Sequence, residues 1–396
     1  MIMHESMAVL AVLLGVLACL FAANEHPLGK RVFKVVPLLV FAYFIPTVLS
    51  NTGLIPLESP LYDFIKQWLL PASLVLLTLS VDIPGILRLG PNVVILFLAA
   101  TATIVVGGPL ALLLGGGMIQ PEMREQAWRG LAALAGSWIG GGANFVAIGE
   151  SVGTNDSTMA MMVVVDVAVA NVWMAVLLFF AGRDERMDRA MGADRSGIDA
   201  LRAKMEALRQ AATSAPNLGK LLVILFLAFG GALAARQYAA HLPDLGSIIR
   251  GFTWVVILVT TLGVGLSFTP LRKLEAAGAS RVGSVFLYLL VATIGAKAKF
   301  SEVGKAPELL LIAVVWILVH IIVLLLLRRL LKAPIFYMAI ASQANIGGAA
   351  SAPIVASAFH PSLAPVGVLL GVAGYVLGTY AGLLCAGLLE MVARLY

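Results

Sequence analysis

Residues 136–150 read GSWIGGGANFVAIGE, and the fold turns on how this stretch is read. Its surroundings are strongly apolar, yet Gly140, Gly141 and Gly142 follow one another, with Asn144 close by, where a hydrophobic helix would otherwise run. A glycine inside a helix costs roughly 1 kcal/mol relative to alanine, so three in a row weaken any helix there. In lipid, interrupted backbone is tolerated only where protein buries it or where it lines a watery cavity. A stretch of the same texture, SQANIGGAASAPIVA at residues 342–356, returns near the C-terminus. Aligning Ile139-Gly140-Gly141 on Ile346-Gly347-Gly348 gives an offset of 207 residues (348 less 141) and sets Asn144 opposite Ser351. Two glycine-interrupted apolar segments in corresponding halves point to the binding site of a transporter.

Composition agrees with a membrane setting. The 396 residues are 60% hydrophobic and only 12% charged, with a mean hydropathy of +0.98, whereas soluble domains carry about 25% charged residues. The chain therefore reads as an all-α polytopic membrane protein surrounded by the lipid bilayer. Its net charge of +6 suits basic cytoplasmic loops and indicates no nucleic-acid partner. Cys19 and Cys385 lie far apart in apolar segments and suggest no disulfide framework. The first apolar stretch follows MIMHES, which lacks a basic n-region, so it reads as a membrane helix and not as a cleaved signal.

Roughly 20 apolar residues span a bilayer. Apolar segments fall at 6–23, 34–50, 63–82, 93–116, 127–149 and 158–181, then at 219–236, 249–268, 282–296, 307–328, 335–358 and 365–388. This divides the chain into a first membrane repeat (1–181), a polar linker (182–220) expected in the cytoplasm, and a second repeat (221–396). Within the linker, residues 198–209 (IDALRAKMEALR) suit either a surface amphipathic helix or a mobile connection. The halves also match at 72–91 and 288–307, each an apolar helix, a charged corner and a Gly/Pro turn. The glycine segment is fifth of six in each half. Six full crossings per half would make the repeats parallel. Five crossings plus a re-entrant hairpin would make them inverted, with ten crossings and two hairpins in place of twelve crossing segments. Both arrangements place the same number of Lys and Arg residues inside, and the early Lys30, Arg31 and Lys34 favour the hairpins.

The residues able to carry chemistry cluster on the glycine segments. Half-helix N-termini offer unpaired N–H groups to an anion, and unwound carbonyls can ligate a cation. The substrate-binding candidates are Ser137, Gly140, Gly141, Gly142 and Asn144 in the first segment, and Ser342, Gln343, Asn345, Gly347, Gly348 and Ser351 in the second. Asp166 lies mid-helix in MMVVVDVAVANVWMAVLLFF, and an intramembrane carboxylate is a functional candidate by default. Asn171, about 140° further round that helix, and Tyr375 on the last helix complete the ion-coupling candidates. Gly371, Gly374 and Gly378 read as a close-packing surface. Glu150 reads as a solvated loop residue. Asp82 flanks a helix end, and Lys297 and Lys299, on the matching end, read as lysines reaching the membrane surface. His320, with no ligand partners at helical spacing, reads as a hydrogen-bonded packing residue, so no metal site is expected. Trp138 suits either a gate or a space-filler.

GSWIGGGANFVAI, SQANIGGAASAP and the closing GVAGYVLGTYAG resemble the DUF819 family of membrane proteins along the whole chain. The paired Gly-Gly segments are also similar, more distantly, to those of the glutamate:sodium symporters and 2-hydroxycarboxylate transporters. That resemblance implies inverted halves with re-entrant loops, an elevator-like core, a homodimer and a bacterial inner-membrane location. The paired aspartates of electrogenic sodium/proton antiporters are missing, since Val165 precedes Asp166. The function expected is secondary active transport of a small anionic or zwitterionic solute, such as an amino acid, short peptide or carboxylate, coupled to Na+ or H+. No other cofactor is expected, and no GxxxxGK[ST] motif provides for ATP. A channel or sensory protein is the alternative. An intramembrane enzyme is less favoured, since it would need paired aspartates or a His-Glu-x-x-His motif, neither of which is present.

Overall fold

The structure is a computed structural model that describes residues 5–35, 38–195, 197–198, 201, 217–298 and 307–396. Among these residues the only extended pairing is an isolated bridge between Leu245 and Ile249; the rest of the regular structure is helical. Helices satisfy their backbone groups within one segment, as lipid demands. Lys299 and most of residues 198–209 lie outside the described residues.

The first half comprises α1 (Ser6–Glu25), α2 (Pro27–Val35), α3 (Leu38–Asn51), α4 (Pro60–Phe64), α5 (Leu70–Leu79), α6 (Ile83–Leu87), α7 (Pro91–Gly115), α8 (Arg124–Val152) and α9 (Asp156–Ala181). A π-helical turn, Ile65–Leu69, joins α4 and α5 into one rod. After α10 (Asp184–Met191) come α11 (Leu218–Ala239), α12 (Phe252–Ser267), α13 (Ala279–Lys297), α14 (Glu308–Leu330), α15 (Ile335–Ile346), α16 (Gly348–Phe359) and α17 (Ala364–Ala393). Local chemistry sets the boundaries. Asn155 caps α9 by accepting from the Thr158 N–H at 2.7 Å, and Asn217 caps α11 from Lys220 at 2.9 Å. Pro91 opens α7, and Gly153 closes α8 in the left-handed region at φ 74°.

Eight of the described helices, or nine with the bent α12 pair, are long and apolar enough to cross a membrane. By length α8 is among them, but its path is not a crossing. The Asn155 N–H donates to the Gln126 side chain at 2.9 Å, and Arg129 donates to the Gly153 carbonyl at 3.1 Å. A straight helix would hold such residues roughly 40 Å apart. Only Gly141 leaves helical geometry (φ 72°, ψ −171°), and there the chain doubles back. The limbs pack so tightly that a Cβ on Gly136 would lie 2.5 Å from the Asn144 carbonyl oxygen. The second segment does the same. Phe336 and Phe359, at the ends of α15 and α16, pack edge to face with centroids 5.3 Å apart, and the turn falls at Gly348 with φ 58°. Each glycine segment is a hairpin, and the two turning glycines stand at the offset of the sequence alignment.

The hairpins enter from opposite sides. α7 and α14 run antiparallel, with Thr103 bonded to His320 at 2.7 Å and Gly115 against Ile312. The first hairpin starts from the end of α7, the second from the end of α14. Their tips meet: a Cβ on Gly348 would lie 3.5 Å from the Gly141 Cα.

The helices form two bundles. One, a panel, packs α3 on α13 and α5 on α11, α12 and α13, with α1 against α3. The other, a core, packs α7 on α14 and α17, and sets both hairpins on α17. The glycines of α17 make that contact possible. A Cβ on Gly371 would lie 2.6 Å from the Ala349 Cα, one on Gly374 2.6 Å from the Ile139 carbonyl oxygen, and one on Gly378 2.6 Å from the Gly140 Cα. Small residues let membrane helices approach backbone to backbone.

The linker is not wholly a tether. α10 carries the buried Asp188, which accepts from Arg195 (2.8 Å), from the buried Arg328 of α14 (2.8 Å) and from the Ile335 N–H that opens α15 (2.8 Å). This fixes the start of the linker at the base of the second hairpin.

Substituting Gly378→Val should lower stability by about 1–3 kcal/mol, the usual cost of overpacking, whereas Gly387→Ala, whose nearest neighbour is 3.8 Å away, should be neutral. Thermal unfolding of the two purified variants in one detergent checks this. Equal melting temperatures would refute the glycine contact as a packing constraint.

Candidate functional site

The first hairpin holds Asp166 in place. Ser137, one turn before the tip, donates to Oδ2 at 2.6 Å, and the Trp138 indole N–H donates to Oδ1 at 2.9 Å. Both donors are buried. Hydrogen bonds to an ionised carboxylate are stronger than neutral ones, and here they offset part of the cost of its place in the membrane. Trp138 is thus a hydrogen-bond donor, a role that neither of its two sequence readings contained. Its ring also packs on Trp316 with centroids 5.0 Å apart. Among the described residues no cationic side chain pairs with Asp166, and no group of three or more His, Cys, Asp or Glu residues converges to hold a metal.

The Asp166 carboxyl opens on a narrow cavity between the bundles. The core supplies Ser137, Gly142, Phe145, Val146, Val163 and Asp166; the panel supplies Leu39 and Tyr43 from α3 with Val291 and Ile294 from α13. The Tyr43 hydroxyl is buried without a hydrogen-bond partner. Nothing in the sequence marks Tyr43, because it is one aromatic residue in an apolar helix and its relevance arises only from helix packing.

The other candidates divide into two groups. Gln343, buried in α15, donates through Nε2 to the Ser351 hydroxyl of α16 at 2.7 Å, while its Oε1 has no partner. These side chains and Gly347 sit together at the second tip, beside Gly348 and Gly141. By contrast, Asn144, Asn345 and Ser342 have their polar atoms engaged within the protein. Asn144 donates to the Tyr375 carbonyl at 3.0 Å and accepts from Thr379 at 2.8 Å, which ties the first hairpin, through Gly140 as well, to α17. Asn345 accepts from Thr101 at 2.8 Å and donates to Ala341 at 3.0 Å, which ties the second hairpin to α7. Ser342 receives the Trp173 indole N–H at 2.8 Å and bonds His320 Nε2 at 2.7 Å. His320, whose Nδ1 meets Thr103, is therefore a satisfied polar residue of the core.

Asn171 and Tyr375 do not join Asp166. Neither lines its cavity, and Asn171 makes no side-chain hydrogen bond among the described residues. Glu150 departs from its expected exposure: its carboxylate is largely buried and pairs with Lys66. Lys297, read as reaching the membrane surface, instead pairs with Asp156 at 3.0 Å. Asp82 caps α6 through the Gly85 N–H at 2.9 Å and pairs with Arg272.

Comparison with known proteins gives the family. The chain matches the model of DUF819, described as a protein family of unknown function, over residues 11–392. It is similar to the uncharacterized membrane protein YjcL of Bacillus subtilis (strain 168), 25% identical over 350 residues that cover 85% of each chain. With helices long enough to cross a membrane in both halves and a family match over nearly its full length, the chain is a multi-pass membrane protein and belongs to the DUF819 family.

Proposed function

We propose that the protein is a secondary active transporter for a small anionic or zwitterionic solute, coupled to an ion at Asp166 and working by movement of the core bundle against the panel. The observation that carries this reading is the meeting of two broken-helix hairpins from opposite sides, Gly141 against Gly348, beside an intramembrane carboxylate without a cationic partner. Discontinuous helices that meet at depth bring backbone dipoles to a ligand. With each glycine segment a hairpin and every other apolar segment taken as a crossing, each half would have five crossings, an odd number that supports an inverted relation between the halves. In the same sense α3 packs on α13 while its counterpart α12 packs on α5. A channel or a sensor has no need for a single carboxylate lodged at the seam of two bundles.

The roles follow from the contacts. Gln343 and Ser351, with the first N–H groups of α16, would meet the solute. Asp166, held by Ser137 and Trp138, would carry the coupling ion. A proton suits this geometry better than sodium, because the Trp138 N–H aims a hydrogen where a hard cation needs oxygen. Tyr43, on the panel, would face the carboxyl only in one position of the core.

Two measurements in proteoliposomes test the reading, using a panel of labelled amino acids, dipeptides and carboxylates. An inward proton gradient should drive accumulation of at least one of them. Asp166→Asn should abolish that accumulation and retain equilibrating exchange; gradient-driven uptake at the parental rate would remove Asp166 from the mechanism. Gln343→Ala should raise the apparent KM about tenfold, the loss of roughly 1.4 kcal/mol from a buried hydrogen bond, with little change in maximal rate. An unaltered KM would take Gln343 out of the solute site.

A further inference from the structure

At the end of the molecule where the first hairpin enters, four charges face each other across the seam between the bundles. The panel contributes the cations: Lys66 on the π-helical turn between α4 and α5, and Lys297 at the last turn of α13. The core contributes the anions: Glu150 near the end of the first hairpin, and Asp156 at the first turn of α9. Lys66 pairs with Glu150, and Lys297 with Asp156 at 3.0 Å. The groups form one field, since Lys297 is also within electrostatic reach of Glu150 and Asp63. At the opposite end the Asp188–Arg328 pair stays within the core, between α10 and α14.

We infer that Lys66, Lys297, Glu150 and Asp156 are positioning residues that latch the core to the panel at the first hairpin's end and keep the Asp166 cavity closed on that side. The sign pattern is the reason. In both pairs the cation stands on the panel and the anion on the core, so sliding the core must separate both pairs, even with Asp63 adding an anion on the panel beside Lys297. Partly buried pairs are screened less by solvent and salt than exposed ones. Ile294, which lines the cavity, stands one helical turn below Lys297 on α13 and so lies directly behind the latch. The role as a gate rests on the transporter reading; the latch itself does not.

The test uses the full-length protein in oriented vesicles, with Cys19 and Cys385 replaced by serine and a reporter Ile294→Cys. A membrane-impermeant maleimide is added from the side of the first hairpin's base. Glu150→Lys and Lys66→Glu should each raise the labelling rate roughly threefold or more, as loss of one such pair implies. The exchanged variant Lys66→Glu with Glu150→Lys should return labelling to the parental rate, which also guards against variants that merely misfold. Unchanged labelling in both single variants, or labelling as fast in the exchanged variant as in the single ones, would overturn the latch. Because the labelling needs no solute, parental protein that moves no solute yet shows this pattern would refute transport and leave the latch standing.

Discussion

Everything in this fold depends on enclosing broken backbone. A hairpin tip in a membrane exposes N–H and C=O groups that lipid cannot satisfy, and here two tips meet at depth. The glycine face of α17 provides the enclosure by letting both hairpins lie against it at backbone distance. Asn144 and Asn345 then fasten the hairpins, one to α17 and one to α7. These amides are ligand-binding candidates by sequence, and in the structure they also fasten the hairpins.

The two hairpins are alike in path and unlike in chemistry. The first turns a serine and an indole toward Asp166; the second sets a glutamine beside a serine, with one end of the amide unpaired. Similar paths with different side chains put a carboxylate and its donors beside one tip and an open amide at the other. In the transport proposed above, one would take the ion and the other the solute, and coupling would require each to register the other.

Much of the fold was legible in the sequence because its signals are local. Apolar length marks the helices, and paired glycines mark the turns, down to the 207-residue spacing between Gly141 and Gly348. Whether those segments cross or return was legible only as a leaning toward hairpins from Lys30, Arg31 and Lys34, since the total of inside charges is the same either way; contacts such as Gln126 with Asn155 decide it. Asp166 was visible as a charge in an apolar run, but its cavity mate Tyr43 was not, because that pairing joins residues more than a hundred positions apart. Glu150 misled for a related reason: its partner Lys66 belongs to another bundle, and a carboxylate next to a loop looks solvated until the partner is placed.

The buried carboxylate of Asp188 has a consequence for how the chain is put together. It neutralises a buried arginine of the second half and caps the first N–H of the second hairpin, although it belongs to the stretch that leaves the first half. Removing one partner of such a pair strands a charge, at a cost of about 3–5 kcal/mol. The linker is therefore part of the second half's structure, and its first residues hold the second hairpin's base. A version divided into two polypeptides keeps that clasp within one of them only if cut before Asp184; a cut beyond Arg195 turns it into a contact between the two chains.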